Sequence, residues 1–283
     1  MRIYIVIPCH NEAKFIGQTL TSLVEQTKAA TKIVVVNDQS TDDSAKIVSA
    51  YAKLHPYITL VNTTSSTAHL PGSKVIQAFQ KGVESLDENY DILCKFDADL
   101  IFPKNYLATI THHFERDSKI GMVGGFCYVE KDGHWSLENL TNKDHIRGAL
   151  KAYRKACYMA IGGLKPAMGW DTIDELLAQY HGWYLKTDEQ LHVKHLKPTG
   201  ITYNKAAKWK QGEAFYGMRY GFTLTVIAAL KLSLKKKSIG FFFDYISGYI
   251  RAKRNQKPYL ISPDEGAFVR AHRWKGIRSK IGL

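Results

Sequence analysis

The chain predicts an α/β protein: a doubly wound, mostly parallel sheet with apolar, basic helices appended at its C-terminal end. Three observations carry this expectation. β-Branched runs alternate with helical apolar spacing through the first 125 residues. The runs are continuously apolar, which marks strands buried on both faces, as in a parallel sheet. The whole formal charge of +13 comes from the last part of the chain. Repeated β-α units of this length specify a doubly wound arrangement.

Strands are expected at residues 3–7, 32–36, 58–61, 92–96 and 122–123. Between the first two, Phe15, Ile16, Leu20, Leu23 and Val24 form one apolar stripe at helical spacing. Thr41 or Asp42 is placed to cap the second helix, and Pro103 suits the first turn of the fourth. From about residue 145 the pattern changes. A helix is expected over residues 147–161, leading to Gly162-Gly163-Leu164. The acidic run Asp171-Thr172-Ile173-Asp174-Glu175 then opens a helix that reaches about Tyr180 and breaks at Gly182. A last strand near 191–196 carries His192 and His195, three apart and so on opposite faces of a regular strand.

Residues 1–204 hold 22 Lys+Arg against 22 Asp+Glu, whereas 205–283 hold 17 against 4. The expected organisation is a neutral α/β domain over 1–204 and a basic extension over 205–283. A hydrophobic content of 45% supports a full core and excludes a disordered chain. Cys9, Cys94, Cys127 and Cys157 are far apart, which excludes a disulfide framework or a zinc motif and favours reduced thiols in the cytoplasm. The apolar run at 3–7, stopped by Pro8, is too short for a signal peptide.

In the extension, apolar segments at 222–234 and 239–250 flank Lys235-Lys236-Lys237. Neither reaches the roughly 20 residues needed to cross a bilayer. Bordered by Arg219, Lys231, Arg251, Lys253 and Arg254, they fit a helix pair lying in a membrane interface. Each basic residue near an anionic surface contributes on the order of 1 kcal/mol. The alternative is packing on the domain or on a second subunit, as in a homodimer. Nucleic acid is not an expected partner, because the charges flank apolar helices rather than an aromatic-studded groove.

The chemistry concentrates at Lys95-Phe96-Asp97-Ala98-Asp99. Residues two apart share a strand face, so where this strand breaks into a loop both carboxylates can reach one hard cation and the phosphates it carries. In doubly wound sheets ligands bind beyond the carboxyl ends of the strands. The loop Pro8-Cys9-His10-Asn11-Glu12, Asp38 and the Asp97/Asp99 pair all fall there.

Together these motifs resemble the family-two glycosyltransferases of the GT-A fold, over roughly residues 1–200. The matching residues are Ile7-Pro8-Cys9-His10-Asn11-Glu12, the Asn37-Asp38-Gln39-Ser40-Thr41-Asp42-Asp43-Ser44 turn, Asp97-Ala98-Asp99, and Gly162-Gly163-Leu164 followed by an acidic segment. The extension resembles the membrane-associated C-terminal part of bacterial members that build cell-surface glycans. The resemblance implies an inverting transfer of a sugar from a nucleotide-diphosphate sugar to a hydroxyl of a lipid-linked or polysaccharide acceptor. The expected location is cytoplasmic, peripheral on the inner face of the cell membrane.

Residue by residue, the resemblance implies that Pro8, Asn11 and Glu12 shape the loop near the base and ribose. Asp38 would hydrogen-bond base or ribose, with a turn or cap role as its alternative. Asp97 and Asp99, with Ala98 between them, would hold the metal and diphosphate. His195, or else His192, would be a further metal ligand, and oxygen ligands with one imidazole suit Mn²⁺ or Mg²⁺. The family's base is the Asp of a Glu-Asp pair about eleven residues before a helix-ending Gly, and counting back from Gly182 reaches Asp171. Trp170 stands where Glu is usual, so Asp174 and Glu175 are alternatives; Asp171 could instead be a helix N-cap. Lys74 is expected to reach the phosphates or be solvated. Trp170 is expected to stack on a sugar ring or join the core. His145, Arg147, Tyr153 and Arg154 are candidates for the acceptor side. Two rivals are a sugar nucleotidyltransferase, which needs a Gly-rich phosphate loop that residues 8–12 do not supply, and a non-catalytic membrane adaptor of the same fold.

Overall fold

Strand β1 (Ile3–Cys9) is almost wholly buried and forms the centre of the parallel half of the sheet. It pairs in parallel with β2 (Lys32–Asp38) on one side and β4 (Ile92–Phe96) on the other, and β3 (Ile58–Thr63) lies beyond β2. Helices α1 (Ile16–Val24), α2 (Ser44–Leu54) and α3 (Ser73–Glu84) connect them. The computed structural model describes residues 1–64, 72–138, 143–197, 209–280 and 282. Helix α3 approaches β1 and β2 closely at Gly82, where a Cβ would sit 2.4 Å from Val6 Cγ1 and 2.7 Å from Val36 Cγ2. The N-cap of α2 is Asp43, one residue beyond the expected Thr41 or Asp42, although Asp42 accepts from the Ser44 backbone N–H at 3.0 Å; Asp38 closes β2 and lies outside the helix start.

The second half is mixed. It comprises β5 (Leu100–Ile101), α4 (Tyr106–Arg116), β6 (Ile120–Lys131), β7 (His134–Leu137), β8 (Leu150–Arg154), α5 (Lys155–Ala160), α6 (Trp170–Tyr180) and β9 (Tyr184–His195). Among the described residues the strand order is β3-β2-β1-β4-β8-β6-β9-β5, with β7 beside β6. β8 runs antiparallel to both β4 and β6, while β9 is parallel to β6.

The helix expected over 147–161 is corrected. Residues 150–154 are a strand against β4, and only Lys155–Ala160 is helical. β8 fills the slot between β4 and β6, and this pairing overrides helical periodicity. The strand expected at 191–196 begins earlier, at Tyr184. Asp171 is not an N-cap: Gly169, with φ 80°, holds that position and Asp171 lies in the first turn of α6.

The boundary expected at 204/205 falls within 198–208, outside the described residues. Beyond it come α7 (Lys210–Gly217), α8 (Gly221–Lys235), α9 (Gly240–Arg254) and α10 (Pro263–Lys280). α8 and α9 form a hairpin, with Phe222 near the start of one meeting Tyr249 near the end of the other. α10 returns to α6, where Phe268 meets Tyr180 at 5.5 Å between ring centroids. α7 meets α9 through Gly248, at which a Cβ would lie 2.1 Å from the Trp209 carbonyl oxygen. Backbone cannot yield as a flexible side chain can. Gly248→Ala is therefore expected to cost about 1–3 kcal/mol, the usual range for overpacking, read as a lowered melting temperature.

Candidate functional site

The carboxyl ends of β1, β2 and β4 open on a cleft of about 430 Å³ lined by Pro8, Glu12, Asp38, Lys74, Asp97, Ala98 and Asp99. Larger hollows of about 500 and 700 Å³ lie elsewhere, without a cluster of carboxylates. Parallel strands end on the same side, so residues distant in sequence meet here. Two loops are clamped to shape the cleft. Asn11 Oδ1 accepts from the Thr41 backbone N–H at 2.8 Å, the Glu12 N–H donates to Ser44 Oγ at 2.8 Å, and His10 Nδ1 lies 2.6 Å from the Asp38 carbonyl oxygen. Asn11 does this from a left-handed backbone, φ 55°, which Asn tolerates better than most residues. It shapes the loop and does not itself line the cleft.

The Glu12 carboxylate is divided between two environments. Oε1 pairs with Lys197 at 2.8 Å, whereas Oε2 is buried with no hydrogen-bond partner. Burial raises the Glu12 pKa, and nearby Asp99 and Asp97 add to the rise against the opposing Lys197. A crowd of carboxylates with an orphaned buried oxygen fits a cation. His195 Nε2 lies 3.5 Å from Asp99 Oδ2, while its Nδ1 is held by Glu138 at 3.0 Å. A carboxylate behind an imidazole is the usual outer-shell support of a metal-ligating His. His192 points away: it is exposed, bonds the Glu189 carbonyl at 2.8 Å and lies against Tyr128. Oxygen donors with one imidazole suit Mn²⁺ or Mg²⁺.

Cys127 joins Glu138 and His195 in a group with ligand atoms all within 4.8 Å. Burial pushes the Cys127 thiol up to about 12, so it is a neutral thiol at pH 7, and Glu138 is already engaged by Arg147 at 3.2 Å. Cys127 and Glu138 fit better as support behind His195 than as parts of a separate metal centre.

Asp97 is backed by the buried Lys95, which donates to its Oδ1 and, at 3.0 Å, to the Gly148 carbonyl. Gly148 adjoins Asp171, since a Cβ there would fall 3.1 Å from Asp171 Cβ. The first turn of α6 therefore stands beside the Asp97 end of the cleft. The Asp171 side chain is 36% exposed and pairs with His145 Nε2 at 3.8 Å. Burial tends to raise its pKa, but His145, Lys151 and Arg147 outweigh this and lower it. Asp174 and Glu175 are enclosed. Lys151 donates to Asp174 Oδ1 and Oδ2 at 2.8 and 2.9 Å and Tyr153 donates at 2.6 Å, while Glu175 accepts from the Ile146 N–H at 2.8 Å and meets His145.

Several expectations are corrected here. Trp170 is 7% exposed, with the Lys95 and Lys151 ammoniums 5.2 and 5.6 Å from its ring, so it is a core residue and no sugar platform. Tyr153 is fully buried on Asp174, and Arg154 donates to the carbonyls of Ile120, Phe114 and Asp117, so neither lines an acceptor side. Asp174 and Glu175 present no open face to an acceptor. Sequence reasoning gave no role to Lys95, Lys151 or Glu138. A lysine inside an apolar strand was a usable signal for the first two. Nothing local marks Glu138, 57 residues from its partner His195.

Comparison with known proteins bears on family and fold. The family model "Glycosyl transferase family 2" matches residues 4–163. The chain is similar to a probable glycosyltransferase, YdaM, of Bacillus subtilis, at 31% identity over 276 residues, covering 86% of this chain and 62% of that protein. It also resembles an uncharacterized glycosyltransferase, YibD, of Escherichia coli, at 26% identity over 54% of this chain and 45% of that one. The chain thus spans less than two thirds of the length of these relatives. A solved mannosyltransferase, PcManGT from Pyrobaculum calidifontis, in complex with GDP-Man and Mn²⁺, superposes with a TM-score of 0.59 at 16% identity, covering 98% of this chain and 80% of that one. S. aureus TarS 1-349 gives 0.56 at 14% identity, covering 90% and 73%. These likenesses establish the fold as GT-A, and with the family match over more than half of its residues the chain belongs to glycosyl transferase family 2.

Proposed function

We propose that this protein is an inverting glycosyltransferase that moves a sugar from a nucleotide-diphosphate sugar to a hydroxyl of a lipid-linked or polysaccharide acceptor. The observation that carries the reading is the convergence of Glu12, Asp38, Asp97 and Asp99 in one cleft with Asp171 beside it. Asp38 binds the base or ribose, Lys74 the phosphates, and Asp97, Asp99 and His195 hold Mn²⁺ or Mg²⁺. When bound, the cation supplies Lewis-acid stabilisation of the departing diphosphate, typically several kcal/mol. Asp171 takes the acceptor proton, its ionised form being the one its neighbours favour. The acceptor oxygen then bonds to the anomeric carbon from the face opposite the diphosphate, which leaves with the electron pair of the broken bond. Titrating UDP-, GDP- and TDP-sugars with and without Mn²⁺ tests the reading. Metal-dependent binding of one of them is expected, and binding of none sinks it. Binding without any turnover would favour the non-catalytic adaptor.

Placement at a membrane surface is part of the proposal. Among the described residues no helix is long and apolar enough to cross a membrane. Yet Phe222, Leu230, Leu234, Ile239, Phe243 and Ile250 are exposed along the α8–α9 hairpin. Lys231, Lys235, Lys236, Lys237 and Arg251 are exposed among them. Apolar side chains interleaved with cations suit an anionic bilayer interface. Leu234 and Phe243, 69% and 62% exposed near the turn, are the decisive pair. Leu234→Glu with Phe243→Glu is expected to abolish sedimentation with phosphatidylserine vesicles and leave donor binding intact. Unchanged sedimentation would point instead to a second subunit covering this face, which light scattering would detect.

A further inference from the structure

The segment before β8 touches both halves of the site. The Gly148 carbonyl receives Lys95 at 3.0 Å, the Ala149 carbonyl receives the Asp97 N–H at 2.8 Å, and Arg147 pairs with Glu138 at 3.2 Å. His145 reaches the other way. Its Nδ1 lies 2.8 Å from Glu175 Oε2 and its Nε2 lies 3.8 Å from Asp171 Oδ2. Asp171 and Glu175 are four residues apart on α6 and share a face, so the ring is wedged between two carboxylates. Of the three side chains His145 is 16% and Glu175 9% exposed, and only Asp171, at 36%, stays open.

We infer that His145 is the positioning residue of the candidate base: an imidazolium anchored on Glu175 steers Oδ2 of Asp171 and leaves its other oxygen to the acceptor hydroxyl. The inference rests on the reading of Asp171 as base. Two neighbouring carboxylates in a half-buried site would otherwise raise each other's pKa. The charged groups that act on His145 are Asp171 and Glu175 on α6 and Lys151 on β8. Burial lowers the pKa of His145, but Asp171 and Glu175 outweigh it and hold it at about 9. The ring is therefore cationic throughout the neutral range. In the transfer step it keeps its proton. The acceptor O–H bond breaks and that proton passes to Asp171, while the anomeric carbon exchanges its bond to diphosphate oxygen for one to the acceptor.

The test uses the full chain labelled with ¹³Cε1-histidine. In the wild type His145 is expected to titrate near pH 9, and in Asp171→Asn at least one unit lower. A midpoint indifferent to Asp171→Asn overturns the inference. The second arm follows Mn²⁺-dependent hydrolysis of UDP-GlcNAc and GDP-mannose against pH in wild type and His145→Gln. Loss of the cation should move the acid limb of kcat upward by about one unit, with KM for the donor unchanged. An acid limb that stays in place also overturns it. Should His145→Gln fail to fold, the titration of Asp171→Asn decides. Absence of hydrolysis in the wild type counts against the functional reading alone, and the titration still decides this one.

Discussion

Asp99→Asn is expected to remove Mn²⁺-dependent donor binding, with a loss of at least ~100-fold in affinity. The magnitude follows from comparison: replacing a residue that only supports a ligating imidazole typically costs about 10–100-fold in metal affinity, and Asp99 is proposed as a direct ligand of the ion. Its side chain is 11% exposed and faces His195 Nε2 at 3.5 Å. The change removes one negative charge from a cleft that also holds Glu12, Asp38 and Asp97, so binding of the metal-free nucleoside should be preserved or slightly improved. Calorimetric titration of donor with and without Mn²⁺ separates these effects. Equal metal-dependent affinity in the variant and the wild type would remove Asp99 from the metal site. The same result would leave Asp97, Glu12 and His195 as the ligands to test next.

Asp171→Asn is expected to behave oppositely, keeping donor affinity and losing transfer by roughly 10²–10⁴-fold, the range of a general base. Asparagine preserves the shape of the side chain and can still meet His145, so the effect isolates the ability to accept a proton. Asp171 lies outside the cleft lining, which is why donor binding should not change. Asp174→Asn is a poor control, because it strips a fully buried lysine of its bidentate partner. Breaking such a pair typically costs about 3–5 kcal/mol in stability, and any loss of rate would report unfolding. Unchanged transfer by a folded Asp171→Asn variant would exclude it as the base.

The parallel half of the site was legible because its signals are local. Ile3–Cys9, Lys32–Asp38 and Ile92–Phe96 are short apolar runs with a polar residue at their end or just beyond it, His10, Asp38 and Asp97, and parallel strands place such endings together. The aspartates at 38, 97 and 99 needed no knowledge of packing to be grouped. His195 was separable from His192 only once the register of β9 was known, since alternation says that they differ and not which one faces inward. The helix expected over 147–161 failed for a related reason. Lys151 and Tyr153 share one face of a strand and both meet Asp174, a partner more than twenty residues away that no window of sequence contains.

The residue order by itself determined the succession of β-α units, the side of the sheet on which the carboxylate-lined cleft opens, and the carboxylates available there. Periodicity and strand ends are properties of neighbouring residues and survive without the rest of the chain. Only the tertiary structure decided that Trp170 is core, that Asp174 and Glu175 are enclosed while Asp171 remains open, and that Glu138 stands behind His195. Those outcomes depend on which surfaces meet when β8 enters between β4 and β6, and burial and ion pairing are set by contacts across that junction.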